Sequence, residues 1–272
     1  MLHKILKGVA PIAALALAFG VSGCDSHISI NGEEGVPLSE LKIDGKAPHE
    51  VVLAGPDTVI VNKGDKLTIK TSGDQDAIDA LRFTLDDDSL GVMRKKGNWK
   101  DGGKATVTVT LPALDKLVVA GSGTIEADAL SGKVEATIAG SGTAKAKTVT
   151  ADSLEVTIAG SGKFEAAGTA KSLDLNVLGS GASDMAGLKV DSAEINVAGS
   201  GSASFASDGK VKANIMGSGD VTVAGNATCT VSSMGSGKLH CTGGTTETSD
   251  DAPPAPPAPP APPAPPSPPS DD

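Results

Sequence analysis

The sequence predicts an all-β chain folded as a single-domain β-solenoid, a right-handed parallel β-helix with rungs of about 18–20 residues and Gly-Ser-Gly corners. Three observations predict it. Gly-Ser-Gly recurs seven times, starting at Gly121, Gly140, Gly160, Gly179, Gly199, Gly217 and Gly235, in steps of 19, 20, 19, 20, 18 and 18 residues. A fixed period near 20 marks a solenoid. The residues before each corner alternate apolar and polar, and so do those after it, which is strand periodicity.

The strand before each corner carries the clearest columns. Two residues before the first glycine stand Val119, Ile138, Ile158, Val177, Val197, Ile215 and Ser233. Four before stand Leu117, Ala136, Val156, Leu175, Ile195, Ala213 and Val231. Between them the polar columns read Lys116, Glu135, Glu155, Asp174, Glu194, Lys212, Thr230 and Val118, Thr137, Thr157, Asn176, Asn196, Asn214, Ser232. A helix would scatter these positions around its axis. The strand after the corner has its own inward set: Ala127, Ala146, Ala166, Met185, Phe205, Val223 and Cys241. Each turn is thus read as two inward-facing strands joined by a tight corner and a looser one, the latter "SGK", "AGT", "AGL", "SDGK" or "AGN".

The corner glycines are expected to stack, because glycine tolerates positive φ and has no Cβ to meet the turn above. The serine between them can hydrogen-bond to backbone. With rungs about 4.8 Å apart, seven turns make a rod on the order of 30 Å long. A phosphate cradle is the wrong reading of these glycines, since such loops feed helices and these feed strands.

The chain divides into four stretches. Residues 1–23 read as a lipoprotein signal peptide: Lys4 and Lys7, then an apolar run from Val9 to Val21, ending in "VSGC". The resemblance to a lipobox implies acylation of Cys24; an ordinary cleaved signal is the other reading. Residues 24–47 read as a lipidated N-terminus and polar tether, residues 48–244 as the β-helix. Within it, residues 50–119 read as less regular opening coils. Residues 245–272 form a disordered Pro-rich tail holding twelve of the seventeen prolines, either a stiff spacer or docking segment, or a solubilising extension.

Composition bounds the function. A net charge of −10 argues against nucleic acid and against attraction to anionic lipid. Aromatics make up only 2% of the chain, which leaves little on which to stack sugars. With Cys24 assigned to lipid, Cys229 and Cys241 remain as a pair in an exported setting. Both fall in inward columns of neighbouring turns, so either a disulfide pins the last rungs or two free thiols are buried there.

The run of V-x-I/V-x-G-S-G turns, the approach "VTVTLPALDKLVVAGSG" and the opening "HEVVLAGPDTVIVNKGDKLTI" together resemble the "putative auto-transporter adhesin, head GIN domain" family over about residues 48–244. That resemblance implies a β-helical protein of a bacterial envelope and brings no catalytic residues.

Candidate chemistry is sparse. Glu135, Glu155, Asp174 and Glu194 occupy one outward column; their repulsion is either offset by lysines such as Lys145 and Lys163, or relieved by Ca²⁺ or Mg²⁺. No other cofactor is indicated. The "LDDDSLG" turn reads as a weak cation site or a solvated turn. Thr137, Thr157, Asn176, Asn196 and Asn214 form either a flat recognition surface or a hydrogen-bonded ladder. The resulting expectation is a non-enzymatic envelope lipoprotein, anchored through Cys24 in the periplasm or at the surface, binding an envelope polymer or protein. The alternative is a β-helical polysaccharide-active enzyme, disfavoured by a content of only two arginines, Arg82 and Arg94. Oligomeric state is not legible.

Overall fold

Apolar residues two apart need one face buried, and the chain meets that need by coiling. The computed structural model describes residues 30, 34–95 and 103–248; Cys24, the signal peptide and the Pro-rich tail lie outside them. In chain order the strands are β1 (Glu50–Ala54), β2 (Thr58–Lys63) and β3 (Thr68–Gly73), then helix α1 (Gln75–Ala80), then β4 (Leu81–Leu85), β5 (Ser89–Arg94), β6 (Ala105–Leu111) and β7 (Lys116–Gly121). The uniform rungs follow as β8 (Thr124–Gly140), β9 (Thr143–Gly160), β10 (Lys163–Gly179), β11 (Ala182–Gly199) and β12 (Ser202–Gly217). Last come β13 (Asp220–Ala224), β14 (Thr228–Gly235), β15 (Lys238–Thr242) and β16 (Thr245–Thr248).

The uniform rungs pair in parallel, each on the one before, and the register joins like columns. Val134 faces Leu154, then Leu173, Ala193 and Val211. All seven corner glycines pair in one column, from Gly121 to Gly235. A slip of one residue would turn every apolar side chain outward, so the alternation itself holds this register. Ile138, Ile158, Val177 and Val197 fill the interior at essentially zero exposure, with Phe164 and Phe205 as its largest members.

The corner geometry has a steric origin. Gly160 has φ +119°, and a Cβ there would stand 2.5 Å from the Gly140 carbonyl oxygen. The serine contributes through its backbone: Ser141 N–H donates to Gly121 O, and Ser161 N–H to Gly140 O, each at 2.9 Å.

The looser corner differs from its expected form. Pairing runs on through it with register shifts, as between Gly132 and Lys133, and it carries a further inward set: Leu130, Val149, Ala170, Leu188 and Val190 are buried. The interior is therefore lined from three stretches of each rung. Bulges here absorb the variation between 18- and 20-residue steps, because the glycine corner is too tightly stacked to do so.

The opening coils belong to the solenoid but are not in chain order. The rung β1–β2 is sandwiched: β1 pairs with both β5 and β7, and β2 with both β6 and β8, all in parallel. Two antiparallel strands close this end, β3 on β6 and β4 on β5. The helix α1 beside them is N-capped by Asp74, whose Oδ1 accepts from Ala77 N–H at 3.0 Å.

Part of the stretch read as a polar tether is docked. Val36 forms an antiparallel bridge to Phe83, and Leu38 and Leu41 pack on the core. Ile30 is buried in a second apolar cluster on the outer face of the sheet, with Val52, Ala54, Met93, Val118 and Ala120. The far end is simpler: β15 and β16 lie as single edge strands, and Cys229 and Cys241 are disulfide-bonded with Cα atoms 6.7 Å apart.

Candidate functional site

The strand before the glycine corner presents three outward columns side by side. The first is ionic: Glu50, Lys116, Glu135, Glu155, Asp174, Glu194 and Lys212 follow one another in register. The second is amide-rich. The third, next to the glycines, is apolar: Ala120, Ala139, Ala159, Leu178, Ala198, Met216, Met234.

The ionic column begins with its charges matched and then ceases to match them. Lys116 Nζ lies 3.2 Å from Glu135 and 4.0 Å from Glu50. Beyond Glu135 come three carboxylates with no lysine between them. Partial burial raises the Glu155 pKa above its ordinary value, and Glu135 and Asp174 push the same way. Partial burial likewise raises Asp174; a hydrogen bond from Asn176 opposes it, and Glu194 reinforces it. Lys145 and Lys163 do not relieve this column. They fall on the strand after the corner, where Lys163 lies 2.8 Å from Glu165 and 3.6 Å from Asp184, and Lys145 lies 3.6 Å from Glu165.

The four acids are strung out along the rod rather than gathered round one point. Calcium takes six to eight oxygens at about 2.3–2.6 Å, whereas Glu135, Glu155, Asp174 and Glu194 stand in single file, one per rung. Among the described residues no group of three or more His, Cys, Asp or Glu is disposed to hold a metal. The "LDDDSLG" turn is internally satisfied: Asp86 Oδ1 accepts from Asp88 N–H at 2.9 Å and from Ser89 N–H at 2.7 Å.

Along the ionic column runs an open groove of about 730 Å³. Small residues Ser153, Ser172 and Ser192 form one side, while Glu155, Asp174 and Glu194 form the other; Lys210 and Lys212 follow on the fourth rung, and Thr228 and Thr230 on the fifth. The groove is therefore polarised along the rod, negative over three rungs and positive at the fourth.

The amide column is a ladder. Asn196 Nδ2 donates to Asn176 Oδ1 at 3.1 Å, and Asn214 Nδ2 to Asn196 Oδ1 at 2.9 Å. It joins the ionic column where Asn176 Nδ2 donates to Asp174 at 2.9 Å.

One polar pair was not foreseen from the sequence. Asp57 and Arg94 are buried, 1% and 3% exposed. Arg94 donates from Nε to Asp57 Oδ2 at 2.7 Å and from Nη2 to Oδ1 at 2.6 Å, while Ala105 N–H donates to the same Oδ1 at 2.9 Å. Asp57 occupies the corner position where later rungs have their second glycine: its carbonyl accepts Thr124 N–H, as Gly123 accepts Thr143 N–H. The only sequence signal was "GPD" standing where the repeat has "GSG". His49 is likewise structural, its Nδ1 lying 2.7 Å from Asp115 Oδ1 and its Nε2 3.4 Å from Asp88. Arg82, the other arginine, donates to the carbonyls of Leu81 and Asp79.

Comparison with known proteins places this architecture. Residues 47–227 match the family "Putative auto-transporter adhesin, head GIN domain". No curated protein matches the chain. A crystal structure of a putative adhesin from Bacteroides fragilis superposes with a TM-score of 0.66 at 18% identity, covering 72% of this chain and 93% of that one. A putative lipid binding protein from Parabacteroides distasonis gives 0.59 at 24% identity over 74% and 94%. A putative adhesin from Parabacteroides merdae gives 0.58 at 20% over 74% and 94%. At these identities the likeness is one of fold. Among the described residues no helix is long and apolar enough to cross a membrane.

Proposed function

Because the chain belongs to the "putative auto-transporter adhesin, head GIN domain" family, we propose that it is a non-enzymatic, adhesin-like or structural binding module of a bacterial cell envelope. In this reading lipid on Cys24 holds it to a membrane, in the periplasm or at the cell surface, and the β-solenoid is the rigid part that meets the partner.

The observation that carries the reading is the groove along Glu155, Asp174, Glu194 and Lys212. Its polar groups repeat once per rung, in register, on a backbone that cannot flex without breaking parallel pairing on both sides. Such a surface suits an extended partner with its own repeat, an envelope polymer or a strand of an envelope protein, better than a compact small molecule. The arginines weigh against lyase-like chemistry, since Arg94 is paired with buried Asp57 and Arg82 with backbone carbonyls of the end cap. That leaves lysines as the groove's cations.

The test is sedimentation of the mature chain with purified peptidoglycan sacculi and with mucin-coated beads, at low and high salt. Salt-sensitive retention, weakened in a chain carrying E155Q, D174N and E194Q, is expected for one of them. Equal behaviour of wild type and variant on both would remove the groove from the proposal. Palmitate labelling in cells, compared between wild type and Cys24→Ala, tests the anchor separately.

A further inference from the structure

Among the described residues, three of the five large apolar side chains that stand exposed share one column: Leu178 at 53%, Met216 at 58% and Met234 at 64%. They are consecutive through Ala198 in the strand register. The same column is covered at its other end, where Ala120 lies buried with Val118, Val52, Ala54 and Met93 beneath Ile30, a residue of the chain's own N-terminal segment. One apolar stripe thus runs the length of the rod, and its first part is covered by the chain itself.

We propose that the Pro-rich tail, Ala252–Ser270, covers the rest, turning back at the end of the rod and lying along the column as a polyproline II strand. Five features argue for this occupant. The chain leaves the fold at the right place: β16 ends with Thr248 paired to Val231, three residues short of Met234 on β14, and the tail starts four residues later at Ala252. Its composition fits, since from 252 to 270 it contains only Pro, Ala and Ser. Its repeat fits as well. An Ala-Pro-Pro triplet advances about 9.3 Å in polyproline II, and two rungs advance about 9.6 Å. Leu178 and Met216 stand two rungs apart with small Ala198 between them, so successive triplets span the two large side chains, and Met234 follows on the next rung at the end of the stripe. Hydrogen bonding also fits: polyproline II leaves its carbonyls without internal partners, and the adjacent Asn196 and Asn214 each spend only one of two amide hydrogens in the ladder. Length is ample: nineteen residues reach about 59 Å, and the stripe from Met234 back to Ala139 is five rungs, about 24 Å.

The two exposed methionines report on this directly, because thioether oxidation by dilute peroxide follows access to the sulfur. The experiment compares the full mature chain with one ending at Ser249 and with one whose tail is replaced by Gly-Ser of equal length. Peptide mass spectrometry follows Met216 and Met234, with buried Met93 and Met185 as internal controls. The expected result is oxidation of Met216 and Met234 about threefold or more slower in the full chain than in either variant. Equal rates in all three overturn the proposal. Slow rates in all three would mean a second copy covers the stripe, and protection that arises only with phosphatidylethanolamine vesicles would mean a lipid surface does; either result also overturns it.

Discussion

Replacing Gly160 with alanine tests the stacked corner, with Gly132→Ala as its matched control. Both glycines have positive φ, +119° and +88°, so each substitution places a Cβ on backbone that L-residues avoid, a strain of about 1–2 kcal/mol. Their surroundings differ. Nothing lies within 4 Å of a Cβ on Gly132, whereas on Gly160 it would sit 2.5 Å from the Gly140 oxygen, about 1 Å inside ordinary contact. That oxygen accepts Ser161 N–H at 2.9 Å, so moving it weakens a rung-to-rung bond worth about 1 kcal/mol. The packed strands on either side resist the shift by a further 1–3 kcal/mol, roughly the cost of overpacking a core. We expect G160A to lower the free energy of urea unfolding by about 3–6 kcal/mol and G132A by about 1–2 kcal/mol, with circular dichroism reading both. If the two variants lose the same amount, the corner is not held by steric stacking and its seven glycines need another explanation.

Three further outcomes follow from the same geometry. Glu155→Gln should stabilise the chain near neutral pH by about 0.5 kcal/mol, a value discounted for solvent screening. The raised Glu155 pKa means the folded chain holds its proton more tightly, so wild type loses stability as pH rises through that pKa. The gain from the variant should shrink on acidification and vanish below the ordinary glutamate value; thermal melts across pH 3 to 8, roughly that range, would show a constant gain if the reasoning fails. Asp57→Ala should cost about 3–5 kcal/mol by stranding buried Arg94, and D57A with R94M should recover much of it; equal loss in single and double variants would count against a buried pair. Cys229→Ser with Cys241→Ser opens a bridge spanning 12 residues and should cost about 2–3 kcal/mol. Hydrogen exchange should rise in β14–β16 and leave β8–β10 protected; a uniform rise would contradict a local clamp.

What the sequence reveals here depends on repetition. From Leu117 to Val231, residues 18 to 20 apart share one environment, so the inward columns, the glycine stack and the amide ladder could all be found by aligning the chain with itself. The end cap has no such redundancy. That β1 lies between β5 and β7 depends on where single residues such as Glu50 meet Ser89 and Lys116, and no period marks those pairings. The Asp57–Arg94 pair joins positions 37 apart, off the repeat. That Lys145 and Lys163 pair with Glu165 and Asp184 rather than with the acidic column depends on which side of the corner they occupy, which nearness along the chain does not tell. The inward residues Leu130, Val149 and Val190 were hidden by bulges that shift them out of simple alternation.

The sandwiched first rung has a consequence for how the molecule comes into being. A solenoid laid down in chain order could begin growing as soon as its first turn was available. Here β1–β2 has no complete neighbour on either side until residues 89–111 and then 116–127 have arrived. Assembly therefore has a threshold: nearly half the sequence must be delivered before a template exists, and after that each additional twenty residues can zip onto the last. Chains truncated after Gly160 should fold and chains truncated before Gly121 should not, with nothing gradual between, as a seed followed by growth requires.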